Sequence, residues 1–267
     1  MLAKLRLELA DDSLTYRQSS LLQGVLFERV DSDTARVMHQ QALHPYSQYL
    51  QREGGKTAWY IQTLTDEAFG HMIQPLLSAE FTGFDLEKTG RHIEIVSKKL
   101  STVQDRQLID EFNTVPADRA QGLRFVTPTA FRQNGSFCLL PEPRLVYQSL
   151  MARYSCSSSD YEMTDQDTLD QLEQNTIITR YQLRTETFPL EGKNIPGFAG
   201  TVFYRINGPE TMRRYARLLF HFGEYCGIGV KTGIGMGAVR LLEKTGTERR
   251  QSSGQRTDQL YHSGTTA

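Results

Sequence analysis

The stretch Glu210–Leu242, ETMRRYARLLFHFGEYCGIGVKTGIGMGAVRLL, runs from a helical pattern through clustered glycines into a strand-like end. Met212, Tyr215, Leu219, Phe222 and Cys226 are spaced 3, 4, 3 and 4 apart, which predicts a helix over Glu210–Cys226 with one buried stripe. Arg213, Arg214 and Arg217 lie off that stripe, either as a basic RNA-binding face or as a solvated face balanced by Glu210. Gly223, Gly227, Gly229, Gly233, Gly235 and Gly237 then crowd into fifteen residues. Glycine is entropically costly, so such density implies positive φ or backbone lying close against something. A dinucleotide or P-loop site is the first rival. Both need a strand before the glycines and a helix after them, so that the helix N-terminus meets phosphate. Here the order is reversed, and neither GxGxxG nor GxxxxGK[ST] occurs.

Outward from this stretch, the chain reads as two copies of one element order. Ala3–Leu9 alternates like a half-buried strand, and Leu22, Val25, Leu26 and Val30 give a helix over Tyr16–Val30. Ser32 caps a short helix, Asp33–Gln40; Tyr46–Leu50 and Thr57–Leu64 are strands. Thr65 with Asp66 and Glu67 starts a helix carrying Phe69, Met72, Ile73 and Leu76, and Ile93–Val96 is a strand. The order repeats with strand Leu123–Phe131, helix Arg144–Tyr154, strands Ile177–Thr187 and Thr201–Ile206, helix Glu210–Cys226 and strand Ala238–Leu242. Strand, helix, strand, strand, helix, strand is the ferredoxin-like plan. The expected class is therefore α+β with tandem ferredoxin-like (RRM-like) domains, at 1–115 and 120–245. The acidic, Ser-rich stretch 155–175 reads as a surface insertion or partly mobile helix, and 246–267 as a polar, disordered tail.

Composition fits this plan. At 267 residues, 39% hydrophobic and 23% charged, the chain suits two globular domains. Cys138, Cys156 and Cys226 are dispersed and form no CxxC cluster, so neither a disulfide framework nor a zinc site is expected. No apolar run is long enough for a signal peptide or a membrane span, which points to the cytoplasm. The net charge of −1 conceals an asymmetry. Ser155–Asn175 carries six acids and no Lys or Arg, whereas Arg205–Arg250 carries nine bases against four acids. Such a basic region attracts phosphate even within a neutral chain.

Gly227–Ile228–Gly229, then five residues including Lys231, then Gly235–Met236–Gly237, resembles the C-terminal glycine signature of the CRISPR precursor-RNA-processing endoribonucleases of the RAMP superfamily. Gly197–Phe198–Ala199–Gly200–Thr201–Val202–Phe203 is similar to a strand of that family's second domain. The likeness in element order covers roughly 1–245. It implies recognition of CRISPR repeat RNA, precursor and mature guide alike, with effector-complex subunits as further partners and a monomer or homodimer as the working form. Gly227, Gly229, Lys231, Gly233, Gly235 and Gly237, with Arg213, Arg214 and Arg217, are the expected RNA-binding residues: exposed amides and Lys231 would line a phosphate-bearing strand.

RNA is cut at its own 2′-hydroxyl once that group is deprotonated in line with the phosphate and the leaving 5′-oxygen is protonated. Such chemistry calls for acid–base groups and positive charge, with no metal and no cofactor. Histidine titrates near neutrality and suits both proton transfers. The segment VMHQQALHPYSQYL is similar to the family's stretch in which a catalytic histidine precedes a Pro–aromatic strand entry, which points to His39; His44 is the second candidate. Tyr16 and Lys56 are the expected helpers by chain proximity. His71, His92, His221 and His262 lack a partner motif. A metal-independent endoribonuclease leaving a 2′,3′-cyclic phosphate and a 5′-hydroxyl is the first reading. The alternative is a non-catalytic RAMP subunit that holds guide RNA. A conventional RRM protein ranks below both, for want of the aromatic RNP1 spacing.

Overall fold

The computed structural model describes residues 1–30, 43–157 and 165–242. Strand β1 (Leu2–Leu9) turns Leu5, Leu7 and Leu9 into the N-terminal core and Lys4, Arg6 and Glu8 to the opposite face. It runs antiparallel between β3 (Lys56–Thr63) and β5 (Arg91–Val103). With β2 (Tyr46–Glu53) and β4 (Gly83–Leu86) the sheet order is β2-β3-β1-β5-β4. The first four of these strands have the ferredoxin-like arrangement, and β4 extends the edge. Helix α1 (Ser19–Phe27) lays Leu22, Val25 and Leu26 on the sheet. Thr65 caps α2 (Asp66–Ala68) through the Ala68 amide, as its Thr–Asp–Glu start predicts. The helix then loosens into a π turn (Phe69–Ile73) and a 3-10 turn (Gln74–Leu77). Pro75 lies in the second turn and has no amide to continue a regular helix.

The second sheet repeats the arrangement. Strands β6 (Ala120–Thr129), β9 (Thr176–Leu190), β10 (Lys193–Ile206) and β11 (Val239–Leu242) pair in the order β11-β6-β10-β9. Helices α4 (Pro143–Ser157) and α6 (Glu210–Cys226) cover it through a core that includes Tyr147, Leu150, Phe220 and Phe222. The tandem ferredoxin-like fold is thus the observed one.

Several elements differ from the sequence reading. Strand β5 continues to Val103, and a helix, α3 (Asp105–Thr114), follows where the sequence reading assigned no element. A capping box between Gln104 and Gln107 starts α3, and Leu108 anchors it. Asn134–Gly135, with both φ angles positive, closes an unforeseen hairpin of β7 (Phe131–Gln133) and β8 (Ser136–Cys138). The acidic stretch is corrected in part. Its described residues form α5 (Gln166–Asn175), capped by Asp165 and anchored by Leu169 and Leu172. Arg144 of α4 bonds both Asp170 and Glu173, so α5 is packed on the second domain rather than inserted at its surface. Asp160, Glu162, the expected helix Asp33–Gln40 and the tail lie outside the described residues. Among the described residues no helix is long and apolar enough to cross a membrane.

Candidate functional site

Helix α6 buries a broader face than its stripe predicted: Ala216, Phe220 and Gly223 join Leu219, Phe222 and Cys226, while Met212 and Tyr215 are half-buried. The extra face meets α4 and the second sheet, where Phe220 stacks on Tyr147 and Gly223 lies against Leu150, while the arginines lie on the side toward α3. Arg213 donates to the carbonyls of Ala117 and Gly208. Arg214 pairs with Glu210 and donates to Phe112 and Asn113 at the carbonyl end of α3. Arg217 pairs with Glu111 at 2.6 Å, and His221 Nδ1 lies 3.0 Å from the same carboxylate. The three arginines are half-buried and tie the connecting helix to α6.

After α6 the two glycine–hydrophobic–glycine arms close on each other. The Ile228 amide donates to Gly237 O at 2.8 Å, and the Gly237 amide donates to Pro128 O at 3.0 Å. Val230 donates to Ala130 O, and Gly229 to Ser149 Oγ of α4 at 2.9 Å. Gly237 sits at φ +74°, where a Cβ would stand 2.1 Å from Ile228 O; at Gly229 it would stand 2.4 Å from Ala130 O. These glycines let backbone pass backbone. Ile228 and Met236 between them are fully buried, each anchoring the loop by about 1.5–3 kcal/mol. Gly227, Gly233, Gly235 and Gly237 are buried, and most of the segment's amides donate within the protein, to the loop or to its neighbours, contrary to the expectation of exposed amides. Lys231, at φ +59°, is the exposed cation at its tip.

That tip presses on the N-terminal domain. A Cβ on Gly235 would meet Ser19 Cβ at 2.2 Å and Phe188 at 3.5 Å; one on Gly233 would meet Tyr46 Oη at 3.1 Å and His44 Cδ2 at 3.3 Å. Ser19 is held from both sides, accepting from the Leu50 amide and giving its carbonyl to Gln48 Nε2. Tyr46 is fully buried, accepts from Gln23 Nε2 and is pushed up to about 12 by burial. Its phenol therefore stays protonated near neutrality, and it forms the floor on which His44 is tilted, at 5.5 Å between ring centroids. His44 is half-buried and lines a cleft of about 400 Å³ with Pro45, Thr65, Glu67, Arg153 and Ser157. The cleft joins the entry to β2, the cap of α2 and the end of α4.

The expected helpers divide. Tyr16 stacks on Phe188, the ring beside Gly235, so it borders the glycine segment. Burial first, then Glu186, raises its phenol above the ordinary range. Lys56 pairs with Glu8 at 2.5 Å at the turn end of the β2–β3 hairpin, roughly 24 Å along the strands from His44's end. The structure does not bring Lys56 to the cleft. His39 lies outside the described residues. His92 pairs with Asp85 at 2.8 Å on an exposed strand, and His71 sits in the π turn. The three cysteines are free thiols.

Arg153 was not singled out by sequence. It is 5% exposed, and its Nη2 donates to Gly229 O at 3.1 Å. The available signal was a cation set among Leu150, Met151 and Tyr154, all core positions of α4.

The sequence profile of the family described as CRISPR-associated endoribonuclease Cas6 matches residues 123–239, which include the whole glycine segment. A CRISPR-associated endoribonuclease Cas6 of Mycobacterium tuberculosis is 34% identical over 221 residues, 82% of this chain and 70% of that one. A protein of the same description from Streptococcus thermophilus is 32% identical over 222 residues, 83% of this chain and 90% of that one. Among solved structures, a Cas6 product complex superposes with a TM-score of 0.75 at 25% identity, covering 91% of this chain and 99% of that one.

Proposed function

This chain belongs to the CRISPR-associated endoribonuclease Cas6 family, and from that premise we propose that it cuts CRISPR repeat RNA at the seam between its two domains by acid–base chemistry. The observation that carries the proposal is the contact of His44 with the glycine segment, 3.3 Å from His44 Cδ2 to the Cβ position of Gly233. The segment that resembles an RNA-binding signature and a candidate acid–base group thereby share one wall. Lys231 stands exposed beside it to meet the phosphate strand.

In this proposal the RNA supplies its own nucleophile. A histidine removes the 2′-hydroxyl proton, the oxygen attacks the adjacent phosphorus in line, and the 5′-oxygen leaves with a proton from a second donor. His39 and His44 are the two groups for these transfers, and either order balances. The products are a 2′,3′-cyclic phosphate and a 5′-hydroxyl. Neither step requires a metal ion, since the proton transfers and the cation do the work. The proposal extends to passing the processed RNA to effector-complex subunits, with the chain working as a monomer or homodimer.

The experiment is incubation of the purified chain with end-labelled repeat RNA in EDTA, with product ends assigned by phosphatase and kinase sensitivity. Cutting in EDTA with cyclic-phosphate ends is expected, and both His39→Ala and His44→Ala should slow it. Wild-type rates in the double variant would sink the site assignment. Loss of cutting on chelation would sink the metal-independent route.

A further inference from the structure

We infer that Arg153 is the anion-binding group of the interdomain cleft, taking a phosphodiester of the RNA strand while it holds Gly229. The inference rests on the proposed reading of the cleft and adds a residue to it. Arg153 and Ser149 are four residues apart on α4 and so share one helix face. Ser149 Oγ accepts the Gly229 amide at 2.9 Å, and Arg153 Nη2 donates to the Gly229 carbonyl at 3.1 Å. Helix α4 thus grips one glycine peptide from both sides.

Holding a carbonyl needs only a neutral donor, yet the position carries a guanidinium. Its Nε and Nη1 are buried and make no hydrogen bond. Among the described residues no carboxylate lies within ion-pair distance of it, although Glu67 shares the cleft. An unpaired buried cation costs several kcal/mol, and a guanidinium does not escape the cost by losing its proton. Burial does lower its affinity for that proton. The charge is balanced when an anion enters, and either free nitrogen can donate a charge-assisted hydrogen bond to a phosphate oxygen. Arg153 lines the cleft with His44, so a small shift of the guanidinium about its Nη2–Gly229 bond brings those nitrogens to an entering phosphate. A phosphate held there lies across the cleft from the imidazole, where it can fix the strand relative to His44.

The test is a titration of repeat RNA made uncleavable by 2′-deoxy substitution at the mapped cut, against wild type, Arg153→Gln and Arg153→Lys. Arg153→Gln is expected to bind about 10- to 100-fold more weakly, and its slope of log K against log salt to fall by about 0.7–1. Arg153→Lys keeps the slope and loses less affinity. Replacing the linkages singly by neutral methylphosphonate identifies the partner: at one linkage wild type falls to the level of Arg153→Gln, which itself loses nothing more. Unchanged affinity and slope in Arg153→Gln overturns the inference, whatever happens to the cutting rate, and leaves Arg153 as a support for Gly229. Should the Gln variant melt far below wild type, the Lys variant and the methylphosphonate scan carry the test. No linkage distinguishing Lys from wild type is then the overturning result. If nothing is cut at all, the titration runs on unmodified RNA; the cleavage reading then fails while Arg153 is still tested.

Discussion

Gly237 and Gly233 carry the same side chain in one loop, yet substitution separates their roles. At Gly237 both the φ of +74° and the 2.1 Å approach to Ile228 O forbid a Cβ without moving backbone. Gly237→Ala is expected to destabilise the fold by about 2–4 kcal/mol, read as a shift in the urea midpoint. At Gly233 the nearest atom is the Tyr46 hydroxyl at 3.1 Å, the far end of a side chain. Gly233→Ala is therefore expected to fold within about 1 kcal/mol of wild type and to slow RNA cutting by displacing Tyr46 and His44. Equal losses of stability in the two variants would remove the distinction. His44→Ala belongs at this scale too. Loss of a proton-transfer group typically costs about 10²–10⁴-fold in rate, so its single-turnover cutting should fall by that order while RNA affinity stays near wild type.

At the scale of elements, the two sheets are joined by a few polar contacts that titrate. Glu53 at the end of β2 receives Arg240 of β11 and the Tyr60 hydroxyl at 2.8 Å. Burial alone would raise its carboxyl, but those two bonds outweigh it and hold the group below the usual carboxylate range. A carboxyl depressed in the folded state stabilises above its unfolded value and loses that contribution as pH falls through its folded value. Between about pH 5 and pH 3 the wild-type Tm should therefore drop more steeply than that of Glu53→Gln. The difference is worth about 1 kcal/mol once water's screening of a partly exposed pair is counted. Parallel curves would show that the pair contributes nothing to folding.

Much of this level was legible in advance. Hydrophobic periods of two and 3.6 placed most strands and helices, and Thr65 placed a cap. Helix α3 escaped because DRQLIDEFNT is mostly polar, and only Leu108 within it is buried. Its helical face is completed by α6, which lies about a hundred residues away. The hairpin at Asn134–Gly135 had the strongest short-range signal a turn can carry. It was obscured because its strands are three residues each, too short for alternation to register.

Taken as a whole molecule, the chain has a net charge of −1 and must present phosphate-binding charge locally. Cutting and binding should consequently weaken with salt, yet with a slope set by only a few contacts. Since Arg213, Arg214 and Arg217 are engaged with α3 and its flanks, Arg217→Ala is expected to lower the Tm and leave the salt slope of RNA binding unchanged. A reduced slope with an unchanged Tm would return Arg217 to the RNA surface.

The residue order of Glu210–Leu242 by itself determined the helix–glycine–strand succession and the exclusion of nucleotide loops, and the periodicity along the rest of the chain determined the tandem ferredoxin-like plan. Those follow from local periodicity and backbone sterics, which are written along the chain. Only the tertiary structure decided what the glycines face, that α6 turns its arginines toward α3 and its flanks, that Lys56 is carried away from His44, and that Arg153 is buried against Gly229. Most of these depend on which surfaces meet between residues distant in sequence, and burial, not spacing, decides whether a charge faces water, a carboxylate or a cleft.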